Sequence, residues 1–158
     1  MSKEKLLDRV SDALLKAKYI KEKDGHCMPV LMAEIDDGMA IAPLPFKSRE
    51  EKAKVCKAIT GELAKKNCKW YIFVSEAWAS VTHKDAEKAK DLMEGKLMPS
   101  DDPNHKDVII VFGEDEEGNK CTMTAVIKSE KDKKIEWGED TIMDEDGGEC
   151  YLFKGIFG

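Results

Sequence analysis

Leu6, Leu7, Val10, Ala13, Leu14 and Ala17 recur at steps of three and four among lysines and aspartates, which predicts an amphipathic helix over residues 3 to 19. Ser2 is positioned to cap it. After "KEKDG", the run "CMPVLMAEIDDGMAIAPLP" holds two apolar stretches divided at Asp37-Gly38, a pair that favours a tight hairpin because both residues tolerate positive φ. Pro43 and Pro45 lack a backbone donor, so the second strand is expected at a sheet edge or ends early. "SREE" opens a second helix as a capping box on Ser48 and Glu51. Its stripe is Ala53, Cys56, Ile59 and Leu63, and Lys65, Lys66 and Asn67 suit its C-terminal end.

A third strand is expected from Lys69 to Val81, followed by a short helix through Ala86, Ala89, Leu92 and Met93 and a Pro-punctuated connection, "GKLMPSDDPNHKD". Val108–Glu114 and Cys121–Ile127 then read as a hairpin. With a loop centred on Glu117-Gly118, Phe112 faces Met123 and Ile110 faces Ala125, leaving Thr122 and Thr124 with Ile109 and Val111 on the opposite side. "KSEKDKK" is a solvated break. Ile135 to Cys150 carries seven acidic residues and no basic one, so it is expected to remain solvated. Cys150 to Phe157 is too apolar for water and reads as a last strand or a docked tail, packed on its own sheet or on a second subunit. Residues 1–158 therefore read as a single α+β domain, an antiparallel sheet of about five to six strands packed against two main helices.

Composition narrows the function classes. The net charge is −6, and Arg9 and Arg49 are the two arginines among 26 basic residues, which disfavours nucleic acid as a partner. The longest aliphatic and aromatic run, Val108 to Phe112, is far short of the ~20 residues of a membrane span, and the start lacks the apolar core of a signal peptide. A cytoplasmic protein, monomer or homodimer, is the expectation. Cys27, Cys56, Cys68, Cys121 and Cys150 form no CxxC pair, so buried thiols are expected. His26 beside Cys27 does not make a catalytic pair, since neighbours on a strand point to opposite faces. His26, His83 and His105 are scattered, and the phosphate-loop, dinucleotide, GxSxG and HExxH patterns are all missing from the sequence. "DEDGGE" fails as a calcium loop: with Gly147 at the required glycine, Ile142 and Phe153 fall at ligand positions.

The unusual feature is "YIFVSEAW". Period two places Trp70, Ile72, Val74, Glu76 and Trp78 on one face, so a carboxylate sits in an aromatic-rich row. Desolvation disfavours its charge unless donors meet it. Glu76 is then either a hydrogen-bonded structural acid, taking donors from an indole or from the segment Pro99 to Asp107, or an acid, base or ligand in a cleft. Asp101, Asp102, His105 and Asp107 could supply oxygen and imidazole donors beside it, although the spacing matches no metal motif.

"FVSEAW", the connection "PSDDPNHKDVIIV" and "GEDEEG" together resemble a family of small uncharacterised bacterial and mobile-element proteins. In these a Ser-Glu-Ala-Trp strand precedes a Pro-rich loop and a β-hairpin. The resemblance spans Tyr71 to Ile127. His105 stands where the pattern has arginine and Asp107 where it has glutamate. It implies the architecture and a grouping of Glu76 with the loop, and no reaction. Two functions follow as expectations. One is a binding or accessory module without catalytic motif or cofactor, presenting Trp78 and the loop residues Asp101, Asp102 and His105 to an unknown protein partner. The other is a metal-dependent hydrolase using Glu76 with Asp101, Asp102 or His105. Convergence of those side chains in a pocket separates an enzyme from a binder, which needs an exposed apolar surface.

Overall fold

Residues 70 to 74 are Trp, Tyr, Ile, Phe and Val, and all are buried although successive side chains point to opposite faces. A strand with two dry faces must lie inside a sheet covered on both sides. A computed structural model describes residues 2–44, 48–80, 105–131, 134–143, 153 and 155–157, with the backbone alone at 49, 77–80, 105 and 106. Its elements are α1 (Lys3–Asp24), β1 (Val30–Ile35), β2 (Gly38–Pro43), α2 (Arg49–Lys65), β3 (Trp70–Ser80), β4 (His105–Asp115), β5 (Lys120–Lys131) and β6 (Lys134–Met143). The sheet order is β2-β1-β3-β4-β5-β6, every pair antiparallel. This is the α+β arrangement of two helices on an antiparallel sheet that the sequence predicts.

The helices divide the two faces. Leu6, Val10, Ala13, Leu14 and Ala17 of α1 pack on Trp70, Ile72, Val74, Ile109, Val111, Cys121, Met123 and Ala125. Cys56 and Leu63 of α2 lie on the reverse face with Leu31, Ala33, Tyr71, Phe73 and Phe112. Both caps are as expected: Ser2 Oγ accepts from the Lys5 amide and Ser48 Oγ from the Glu51 amide. Of the C-terminal residues, Phe153, Ile156 and Phe157 pack on the α2 face, and none of the described ones is in a strand. Phe153 is fully buried, with its ring 5.1 Å from Phe73 and 5.6 Å from Tyr71.

Five expectations are corrected. α1 runs to Asp24, five residues beyond the predicted end. The β4–β5 register is one residue off the prediction: Val111 faces Met123 and Ile109 faces Ala125, with Thr122 opposite Phe112 and Thr124 opposite Ile110. The reason is a three-residue loop in place of two. The Asp115 amide donates to Asn119 O at 3.0 Å, and Gly118 takes φ 87°, the left-handed residue such loops need. Asp115 is buried and accepts from the Glu117 amide, the Asn119 amide and Asn119 Nδ2, which fixes the loop. Third, residues 135–143 of the acidic stretch form most of β6, held to α1 by Trp137 Nε1 donating to Glu22 at 2.6 Å and by Lys18 pairing with Asp140 at 2.7 Å. Fourth, His105 and Asp107 belong to β4 rather than to a loop. Fifth, the first hairpin turns at Asp36-Asp37, one residue before the expected Asp37-Gly38, because Gly38 opens β2 at φ 119° opposite Ile35; β2 itself is an edge that ends at Pro43 as expected. The expected helix over 86–93 and the acidic residues of 144–150 lie outside the described residues.

α1 packs tightly on β4 at Gly113, where a Cβ would stand 2.6 Å from Val10 Cγ2 and 3.1 Å from Leu6 Cδ1. Gly113→Ala is expected to destabilise by ~1–3 kcal/mol through overpacking. A thermal melt checks this, and Val10→Ala in the same chain should recover part of the loss.

Candidate functional site

Glu76 lies on the α1 face of β3, opposite Ile109 of β4 and next in its row to Val74. α1 ends directly over it. Position 21 continues the buried stripe of Leu6, Val10, Ala13, Leu14 and Ala17, and its residue is a lysine that remains 8% exposed. The helix stops at Gly25 (φ 83°), whose amide donates to Lys21 O at 2.9 Å, while Lys21 Nζ reaches forward to Gly25 O at 2.8 Å. The chain then folds back across β3 so that the Cys27 amide also points at the carboxylate.

Both oxygens of Glu76 are engaged. Oε1 lies 2.6 Å from Lys21 Nζ, and Oε2 accepts from the Cys27 amide at 3.1 Å. Glu130 Oε2 of β5 is 4.0 Å from the same ammonium. Burial pushes Lys21 towards its neutral form, but the hydrogen bond and charge of Glu76, with the charges of Glu130 and Asp107, outweigh it and raise the pKa above 10.5. Lys21 is therefore a fixed cation at neutral pH, not a base. Burial, then the Glu76 charge, raises the Cys27 thiol against the opposing effect of Lys21, and burial lifts Cys68 to about 11. Neither thiol is an activated nucleophile.

The donors to Glu76 thus differ from those expected: they come from α1 and the chain after it, not from the segment Pro99 to Asp107. The Trp70 indole nitrogen on the same row makes no hydrogen bond. Asp101 and Asp102 lie outside the described residues, as does the side chain of Trp78, whose backbone pairs with Asp107. His105 pairs with Ser80, four residues along the strand from the position of Glu76, which is about 13 Å at ~3.3 Å per residue. The backbone therefore does not bring His105 and Glu76 together. Among the described residues no group of three or more His, Cys, Asp and Glu side chains is placed to hold a metal ion. No helix among them is long and apolar enough to cross a membrane.

Sequence reasoning missed Lys21, Glu130 and the Cys27 amide. The available signal was Lys21 four residues after Ala17, with Gly25 a turn further on as a stop. Comparison with known proteins finds no matching family model, no matching curated protein and no matching solved structure.

Replacing Lys21 by Met or Glu76 by Gln strands a partly buried partner and is expected to cost ~1–3 kcal/mol in each case, with Lys21→Met/Glu76→Leu losing less than the sum. Because Lys21 has a raised pKa, its contribution is complete below 10.5 and is lost as pH rises through the higher folded value. The stability gap between wild type and Lys21→Met should be constant from neutral to mildly alkaline pH and shrink only above that point. Denaturant titrations at several pH values measure both effects.

Cys27, Cys56, Cys68 and Cys121 are all buried. Alkylation of the native protein at neutral pH should leave these four unmodified until denaturant is added, as peptide mass spectrometry would show.

Proposed function

We propose that this chain is a non-catalytic binding module that meets a protein partner through the outer face of α1. The observation that carries the reading is a pair of large apolar side chains one turn apart on that face, Leu15 at 64% and Tyr19 at 63% exposure, with Ile20 and Met28 also exposed nearby in sequence. Neither α1 residue belongs to the stripe that holds the helix on the sheet, so packing of this fold does not require them to be apolar. Residues spaced i and i+4 make a ridge that fits the groove of a partner helix. Trp78, Asp101, Asp102 and His105 remain candidate contacts, Trp78 and His105 standing by register at the far end of β3 and β4, past the residues paired with β1 and β5. Hydrolysis by Glu76 with Asp101, Asp102 or His105 loses its main support, since the carboxylate is already paired with an ammonium and an amide.

The test compares wild type, Leu15→Asp/Tyr19→Asp and Glu76→Gln as affinity-tagged baits in cells that express the chain. A stoichiometric partner should be retained by Glu76→Gln and lost from the double variant, with the melting temperature of the double variant unchanged. A partner indifferent to the double variant overturns the reading. So does metal-dependent hydrolysis of simple ester or phosphodiester substrates that Glu76→Gln abolishes while still folded.

A further inference from the structure

The two edges of the sheet are built differently. β6 carries Lys134, Glu136, Glu139 and Asp140, charges of the kind that discourage another strand from pairing. β2, Gly-Met-Ala-Ile-Ala-Pro, carries none, in a chain that is 37% charged. Met39 and Ile41 of this edge are 56% and 67% exposed. They lie opposite Glu34 and Met32, and therefore on the α1 side of the sheet. α1 packs over β3, β4 and β5 and leaves this strip uncovered.

The backbone direction of β2 follows from one bond. The Leu44 amide donates to Pro29 O at 2.8 Å, so residue 44 turns its polar groups towards the β1 side. In an antiparallel ladder this alternates, so Ala42 and Ala40 also face β1, whereas Met39, Ile41 and Pro43 direct theirs to the open side. The missing N–H of Pro43 thus falls where it costs no bond to β1.

We propose that β2 pairs with β2 of a second copy of this chain, antiparallel about a two-fold axis at Ile41, so that one sheet runs through both. In this register the two Ile41 residues exchange N–H···O bonds, and each Met39 N–H donates to the Pro43 carbonyl of the other copy. The residue without a donor is asked only to accept. A two-fold interface requires a patch that complements itself, and an antiparallel edge does so by construction. Charge selects the occupant: two chains of net charge −6 repel over most of their surfaces, and a strand free of charge is where identical copies meet with no like charges opposed. On the α1 side, Ile41 then lies against its own copy and Met39 against Pro43, removing the most exposed apolar side chains of the edge from water. The contact uses the sheet edge and not the α1 face, so it stands or falls separately from the proposed partner surface.

The experiment is sedimentation velocity of the full chain across the micromolar range, with Ile41→Lys, Met39→Lys and, on the opposite edge, Ile142→Lys. Wild type and Ile142→Lys should show a concentration-dependent dimer. Ile41→Lys, which sets two ammonium groups face to face, should weaken association on the order of a hundredfold without lowering the monomer's melting temperature. Amide exchange on the wild type gives a second readout that needs no variant: the outward amides of Met39 and Ile41 should be protected at high concentration and exchange freely on dilution. A monomer at every concentration, a dimer untouched by both β2 lysines, or unprotected Met39 and Ile41 amides in a dimer would each overturn the proposal.

Discussion

One ion pair sets how the helical layer meets the sheet. Lys21 Nζ, 2.6 Å from Glu76 and 2.8 Å from Gly25 O, joins the last turn of α1, the chain that leaves it and the middle of the central strand. Removing an ammonium from water is costly, and an apolar pair of the same volume could give equal stability. The pair gives position instead. Apolar side chains of α1 could slide along the sheet by a turn with little change in buried area, but a slide of one turn would carry Lys21 away from its carboxylate and leave both charges half-buried and unpaired. Gly113 acts at the other end of the same helix, where Val10 and Leu6 leave no room for a Cβ. The helix is thus held by a charge at its C-terminal end and by shape near its start.

That placement decides what remains uncovered. A helix with its side chains is ~10 Å across and strands are ~4.8 Å apart, so one helix shields about two or three strands of a six-stranded sheet. α1 is committed to β3, β4 and β5 and is tied to β6 through Lys18 and Glu22. Among the described residues the cover thins out towards β2 on that side: Met32 of β1 is still packed against the cluster, while Met39 and Ile41 of β2 are exposed. The reverse face has a second cover, since Phe153 and Ile156 join α2 over Tyr71 and Phe73. Among the described residues the two faces are therefore unequal: one is closed by a helix and an aromatic tail, the other by one helix placed off-centre.

Much of this was legible in the sequence. Both helix caps, the existence of two hairpins though not their exact turns, the edge position of β2 and the burial of Phe153 and Ile156 follow from spacing, turn residues and proline. What failed, failed for local physical reasons. A three-residue loop with Gly118 in the left-handed region and a two-residue loop at Glu117-Gly118 look alike in sequence, and the difference shifts every β4–β5 partner by one residue. β6 was hidden because its charges are exposed while Ile135 and Trp137 are only half-buried, a weak alternation for a strand at an edge. At the candidate site, Glu76 looked anomalous on its strand and the helix seemed to stop before Lys21. These are two views of one contact. A charged residue in an apolar row reads as an interruption when taken alone, and only the fold shows that two such interruptions, 55 positions apart, face each other.

The same contact ties the carboxylate of β3 to the end of α1. The carboxylate holds a buried ammonium through one oxygen and a backbone amide through the other, so a ligand would have to compete with both. Making Glu76 reactive would require withdrawing Lys21, which would release the end of α1 and expose the carboxylates gathered around it. Anchoring of the helix and freedom of the acid are therefore opposed at this contact. What the fold leaves accessible is of another kind: a ridge of Leu15 and Tyr19 on the outside of a helix that the ion pair keeps in place, and an uncharged strand whose outward amides the same helix leaves uncovered. The ridge is free because α1 turns its other stripe to the sheet, and the strand is free of α1 because that helix packs over β3, β4 and β5.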